Sequence, residues 1–239
     1  MQGTVEVEER GHVLLVTLAA PGVGADTSGR LLGEHLASLR ETVDGSVRVV
    51  VVTGSADAFH WGASDTASKT TPGRAVSALQ VPVIAAIAGD CFDGGLELAL
   101  ACDLRIAAED ARFAIRQVQR GGLPMDGGVQ RLARLVGRAH ALRMLLTGDI
   151  IGTEEARRIG LVQQTGGLEA ALALAEGIAQ AAPVATAYTK EAVHQGMELP
   201  LSAGLRLEAD LSFLLHSTSD RSEGLDAFRD RRKPHFEGR

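Results

Sequence analysis

Apolar residues fall in two rhythms along this chain. Val5 to Glu8 and Val13 to Leu18 alternate or run β-branched on either side of Arg10-Gly11, which predicts an opening hairpin. Leu31, Leu32, Leu36, Leu39 and Val43 then recur at helical spacing, with Ser28 placed to cap the segment and Gly45 to end it. Val47 to Thr53, apolar except for Arg48 and Thr53, and Val83 to Ala88, apolar throughout, have the pattern of parallel strands buried on both faces. Between them, Gly54 to Thr71 is polar and irregular, and Pro72 opens a short helix to Gln80.

The second apolar run leads into Gly89-Asp90-Cys91-Phe92-Asp93-Gly94-Gly95, and a helix is predicted from the glycine pair through Leu96, Leu98, Ala99 and Leu100. Leu104 to Ala107 and Phe113 to Ile115 read as short strands. From Gly127 onward the pattern turns helical: one segment follows Gly127-Gly128, another spans Arg138 to Leu146, and a third follows Thr153. That third segment has Glu154 and Glu155 in its first turn and Arg157 and Arg158 near its end, as a helix dipole favours. A last strand, Leu161 to Thr165, precedes three or four helices. The alternation predicts an α/β core over residues 1-165. Residues 166-239 read as a helical extension and not a separate domain, because no Pro/Gly/Ser linker marks the change. No internal repeat or low-complexity segment is visible.

Composition narrows the picture. With 239 residues, 45% hydrophobic and 23% charged, the chain can bury a sizeable core, which excludes disorder and small disulfide scaffolds. A net charge of −6, from 24 Lys plus Arg against 30 Asp plus Glu, gives no overall support for a nucleic-acid or anionic-membrane partner. No apolar run approaches the roughly 18 residues of a membrane span. The opening MQGTVEVEERG lacks the basic-then-apolar order of an export leader, so a cytoplasmic location is the expectation. Cys91 and Cys102, the two cysteines, are too few for a disulfide framework or a four-ligand zinc site; reduced core thiols, and no metal site, are expected.

The segment richest in chemistry is GDCFDGGLELALACDLRIA, Gly89 to Ala107. A strand ends, two glycines permit a tight turn, and a helix begins with Glu97 in its first turn. Unpaired N–H groups and the positive end of the dipole make such a helix start an anion site, able to hold an enolate oxygen. Taken alone, Gly94 and Gly95 serve equally well as turn residues, and Glu97 as a carboxylate placed for the dipole. A second loop, AFHWGASD from Ala58 to Asp65, follows the first buried strand. Two loops from neighbouring parallel strands can supply the two N–H groups of an oxyanion hole, where one loop supplies half.

In these motifs the sequence resembles the crotonase superfamily, also called the enoyl-CoA hydratase/isomerase family, over essentially its whole length. The matching stretches are AFHWGASD, GGLELALACDLRIA, ARFAI, LPMDGGVQRLARLVG, LLTGDIIGTEEARRIGLV and EGLDAFRDRRKPHF, in that order. The resemblance implies an α/β fold with a crotonase-like spiral ββα core, and a C-terminal helical region that builds a homotrimer, often paired into a homohexamer. It implies an acyl-CoA thioester as substrate, with coenzyme A as part of that substrate and no separate cofactor. On matching positions Ala63 and Gly94 would donate the two N–H groups to the thioester oxygen, and Glu97 would be one of two family carboxylates. His60, Trp61, Gly62, Asp93 and Pro124 would line the substrate site. Reactions beside a thioester carbonyl pass through an enolate whose charge collects on that oxygen, so donors set in advance lower the barrier.

Two departures qualify the match. The second glutamate of typical hydratases lies twenty residues after the first, in the strand that follows; here that position is Gln117, which cannot titrate. Water addition uses one group to activate water and another to deliver a proton, and losing one removes about 10²- to 10⁴-fold. Asp126, Asp93, and Asp65 or His60 are the available replacement acids, with Asp126 equally well placed to cap the helix that follows it. The family's early basic residue is also missing from Leu18-Ala19-Ala20-Pro21. The basic run Arg229, Arg231, Arg232 and Lys233, with Phe236 behind it, is then the main local candidate for coenzyme phosphate and adenine, on this or a neighbouring subunit; a solvated tail is the other reading. An acyl-CoA enzyme and a catalytically silent, CoA-binding homologue both remain open. A dinucleotide-binding redox domain is excluded because no G-x-G-x-x-G follows VVVVTGS, and no G-x-S-x-G marks a serine hydrolase.

Overall fold

The computed structural model describes residues 5–18, 29–43, 45–55, 58–59 and 70–239, with 29–31 described by backbone alone. His60, Trp61, Gly62, Ala63 and Asp65 lie outside the described residues, as do Ser28 and the Ala19-Ala20-Pro21 segment.

The opening hairpin forms as β1 (Val5–Arg10) and β2 (Val13–Leu18), antiparallel to each other. β3 (Val49–Thr53), β4 (Val83–Ile87), β6 (Leu104–Ala107) and β9 (Gln164–Thr165) extend the sheet by parallel pairing in the order β1-β2-β3-β4-β6-β9. Every residue of β3 and β4 is buried, which explains their apolar sequences, with Thr53 the one polar residue and its hydroxyl donating to Ala86 O: a parallel strand covered on both faces has no solvent side to make polar. One face packs against α1 (Gly29–Thr42), α2 (Pro72–Ser77) and α3 (Gly94–Ala101), through Leu36, Val76, Leu96 and Leu98 onto Leu14, Val16, Val50, Val52 and Ala85. The other face is covered by α7 (Gly167–Ala179), whose small Ala171, Ala175 and Ala179 lie against Val13, Leu15, Val49, Val51 and Ile84. The helical part of the chain therefore starts with a helix seated on the sheet. β1 leaves its edge exposed but carries Glu6, Glu8, Glu9 and Arg10, charges that discourage edge-to-edge pairing.

A second, smaller sheet joins β5 (Asp90–Phe92), β7 (Arg112–Ala114) and β8 (Ile151–Gly152). The sequence pattern reads residues 89–95 as loop and gives no signal for β8; strands of three and two residues are too short to show a period. The last strand is also shorter than expected: Leu161 and Val162 are buried ahead of β9 without being part of it. α6 (Thr153–Arg158) packs on β7 and β8 of the second sheet, α4 (Gly128–Val136) packs on α3 and on α5 (Arg138–Thr147), and α8 (Pro183–Gly196), α9 (Leu201–Leu215) and α10 (Ser219–Asp230) follow α7. The outcome is an α/β fold with a helical C-terminal region. Among the described residues no single helix is long and apolar enough to cross a membrane.

Cys91 and Cys102 are free and buried in the core. Burial pushes the Cys102 thiol up to about 12 and raises Cys91 as well, so both are protonated. Arg105, 3% exposed, holds the end of α3 by donating to the carbonyls of Ala99 (3.2 Å) and Cys102 (2.9 Å), and it reaches Leu161 O (2.7 Å). These carbonyls are among the orphan acceptors at a helix end, and the guanidinium also suits the negative pole of the dipole.

Candidate active site

α3 starts where the carboxyl end of β4 hands over to β5. The described part of the first loop is stitched to that point: Phe59 N donates to Asp90 O at 2.9 Å, and Ala58 bridges Asp90. Gly54 permits the close turn, since a Cβ there would lie 2.2 Å from Ala58 O. The two loops expected to converge therefore leave adjacent parallel strands and touch at residues 58–59 and 90.

Asp93 precedes Gly94 with φ +50° and ψ −116°, a conformation L residues rarely adopt. Its carboxylate offsets that strain by accepting from Arg116 N at 2.6 Å and from the Arg116 and Arg120 guanidinia at 3.2 Å each. The Arg116 guanidinium also lies 4.4 Å from the Phe92 ring centre. Asp93 thus ties the start of α3 to the segment that presents Gln117. That segment is a single 3₁₀ turn, Gln117–Arg120, where the resemblance implied a strand: β7 stops at Ala114, one residue before the expected Ile115, and Arg116 turns the chain at φ −117°, ψ 10°.

Glu97 is fully buried in the first turn of α3. Its Oε1 accepts the N–H groups of Asp126 (2.7 Å) and Gly128 (3.0 Å), while Oε2 faces Gln117 Nε2 at 3.4 Å. Burial raises the Glu97 carboxyl above its ordinary value; the two N–H groups pull it down and the charge of Asp126 adds to the rise. The two oxygens differ: one is fixed by main chain, the other has a long side-chain contact. Gln117 Oε1 is buried with no partner among the described residues. Gly128 has to be glycine here, because a Cβ would meet Glu97 Cγ at 2.9 Å and Pro124 Cβ at 3.0 Å.

Asp126 is 6% exposed. Its carboxylate accepts from the Thr71 hydroxyl and from Gly73 N at 2.5 Å, both at the start of α2. The cap role expected for Asp126 is therefore real but belongs to another helix: Gly127 is the N-cap of α4, and Asp126 caps α2 across the fold. Thr71, Gly73 and Arg131, whose Nη1 donates to Asp126 O at 2.7 Å, are site-building residues that the sequence reading missed. Thr71-Pro72 does carry a helix-start signal, but its distant partner has no local signature.

Glu97, Gln117, Asp126, Asp93, Gly94 and Pro124 are thus brought together. Arg232, Lys233 and Phe236 stand elsewhere in the chain. Arg232 is paired with Glu223 at 2.6 Å, holding that carboxyl down to about 2, and Phe236 O accepts from Arg48 at 2.6 Å, just ahead of β3. This is the amino end of the parallel strands, whereas α3 follows their carboxyl end.

A spiral of strands and helices on two sheets, with a buried glutamate three residues into the helix that follows β5, defines one class of protein. The chain belongs to the enoyl-CoA hydratase/isomerase family, whose profile matches residues 8–239. It is 37% identical to 2,3-dehydroadipyl-CoA hydratase of Escherichia coli and 36% identical to (E)-benzylidenesuccinyl-CoA hydratase of Thauera aromatica, covering 98% of this chain in both cases and 98% and 99% of theirs. The crystal structure of enoyl-CoA hydratase EchA1 from Mycobacterium marinum matches with a TM-score of 0.90 at 30% identity, covering 99% of this chain and all of the other.

Proposed function

We propose that this protein is an enzyme acting on an acyl-CoA thioester through an enolate, with the main-chain N–H groups of Ala63 and Gly94 holding the thioester oxygen. Glu97 is the single acid/base. The observation that carries this reading is the setting of Glu97, buried beside a helix start with one oxygen fixed by two amides and the other turned to Gln117. A raised carboxyl suits a group that both takes and returns a proton near neutrality. Gln117 holds the second family position, where it orients a water or substrate oxygen without titrating. Arg232, Lys233 and Phe236 serve the coenzyme from a neighbouring subunit, in a homotrimer or homohexamer joined through the exposed apolar residues of α9 and α10.

The test is solvent deuterium exchange at the α-carbon of a panel of acyl-CoAs that includes the thioesters for which the two relatives are named. Exchange by the parent and its fall by about 10²-fold or more in Glu97→Gln are expected. Failure of the parent to exchange any thioester would overturn the proposal. Gln117 also supports a second reading, a CoA-binding homologue without turnover; that reading predicts coenzyme affinity with no exchange, and water addition appearing only in Gln117→Glu.

A further inference from the structure

We infer that Asp126 is a positioning residue, whose carboxylate anchors the turn that holds Glu97 and sets a second buried negative charge beside it. The inference rests on Glu97 being the acid/base.

The geometry removes Asp126 from the replacement acids. Both carboxylate oxygens are occupied, one by the Thr71 hydroxyl and one by Gly73 N, and the side chain is buried. What Asp126 offers Glu97 is its own backbone N–H, at 2.7 Å, with that of Gly128 beside it. Side chain and main chain of one residue therefore join two parts of the site. The carboxylate pins the turn to the start of α2, and the turn pins Glu97 Oε1. Arg131 holds the turn from behind through Asp126 O. Two glycines leave room for this arrangement: a Cβ on Gly73 would meet Asp126 Oδ2 at 2.9 Å, and one on Gly128 would meet Glu97 Cγ at the same distance.

The charge of Asp126 is held by neutral donors, and no ion pair to it exists among the described residues. Arg131, the cation nearest in the chain, gives its hydrogen bond to the Asp126 carbonyl instead. Of the other polar residues nearby, Gln117 on the 3₁₀ turn is neutral, and Asp93, whose main-chain oxygen accepts from Glu97 N, has its carboxylate paired with Arg116 and Arg120. Asp126 is then the one unpaired carboxylate among these groups, and a like charge disfavours ionisation of its neighbour.

The experiment compares the parent, Asp126→Asn, Asp126→Ala and Thr71→Val. Two readouts are used: titration of Glu97 by carbon NMR with labelled glutamate carboxyls, assigned with Glu97→Gln, and the pH profile of α-carbon exchange. Asn keeps the shape, accepting from Gly73 N and donating to the Thr71 oxygen, but carries no charge. In Asp126→Asn, Glu97 should titrate at lower pH and the acid limb of the profile should move the same way. Asp126→Ala should lower kcat by about 10- to 100-fold with KM little changed, because the turn loses its anchor. Thr71→Val keeps the charge and should lower kcat without the downward move, which keeps the idea testable if the Asn variant fails to fold. Glu97 titrating in Asp126→Asn as in the parent would overturn the inference while leaving the proposed function standing. So would loss of exchange in Asp126→Asn at every pH with the turn intact, which would make Asp126 the acid. If no thioester is turned over at all, the NMR titration still decides the role of Asp126.

Discussion

Glu97 carries its cost in the folded state. Its carboxyl is raised from an ordinary value of 4.5, first by burial, so the unfolded chain ionises before the folded one as pH rises. The stability this group supports is thus present below the ordinary value and lost as pH climbs through the raised one. Glu97→Gln should be more stable than the parent at neutral pH, with the gap closing in acid, as urea unfolding at both pH values would measure. Asp93 makes a complementary case. At φ +50° a side chain is strained, and the three hydrogen bonds of the Asp93 carboxylate offset that strain. Asp93→Ala keeps the strain and removes the bonds, while Asp93→Gly removes both; unfolding should rank Asp93→Ala below Asp93→Gly by about 1 kcal/mol. The Asp-Gly-Gly sequence signals a turn, but nothing local announces that Asp93 would pair with Arg116 and Arg120.

At the scale of elements, α3 depends on what closes its far end. Arg105 enters the core with no carboxylate ion-paired to it among the described residues, and burial works against its charge. It stays because several carbonyls need it. Arg105→Met should lower stability by about 3 kcal/mol or more, since buried acceptors are left without donors. Circular dichroism and thermal melts of Arg105→Met and Arg105→Lys would show whether lysine recovers part of the loss. The long elements were legible because their patterns match their surroundings: Val49 to Val52 are apolar without a break because helices cover both faces, and Leu32, Leu36 and Leu39 mark the inner face of α1. β5, β8 and the 3₁₀ turn were not, because two to four residues carry no period and their positions are set by pairing with distant chain, Asp90 with Arg112 or Ile151 with Phe113. In the site, Glu97 and Gly94 could be read from the strand-glycine-helix order. The role of Asp126 could not, because a cap acting on a helix some fifty residues away leaves no trace in spacing.

Across the whole molecule, α9 and α10 carry the most exposed large apolar side chains among the described residues. Leu201 (78% exposed) and Phe213 (75%) on α9 and Phe228 (85%) on α10 are large apolar side chains set toward solvent in one chain. Exposed apolar groups in this number fit the homo-oligomer proposed above. Phe213→Glu combined with Phe228→Glu should shift sedimentation toward the monomer while circular dichroism stays unchanged. α8 is bound inward, with Lys190 2.7 Å from Asp103 and donating to Val81 O at 2.9 Å. The tail returns as well. Arg48, beside the first residue of β3, donates to Ala179 O at 2.9 Å and to Phe236 O, and buried Asp220 accepts the N–H groups of Glu237 (2.8 Å) and Gly238 (2.9 Å). Clipping residues 236–239 would leave that aspartate without those two amides, a loss of about 3–5 kcal/mol by the usual cost of an abandoned buried charge. Because residue 236 is tethered to Arg48 just ahead of β3, heat should be absorbed in a single calorimetric peak. Proteases should not trim residues 219–239 as a separable arm, and loss of residues 236–239 should be felt as deeply as a lesion in the core.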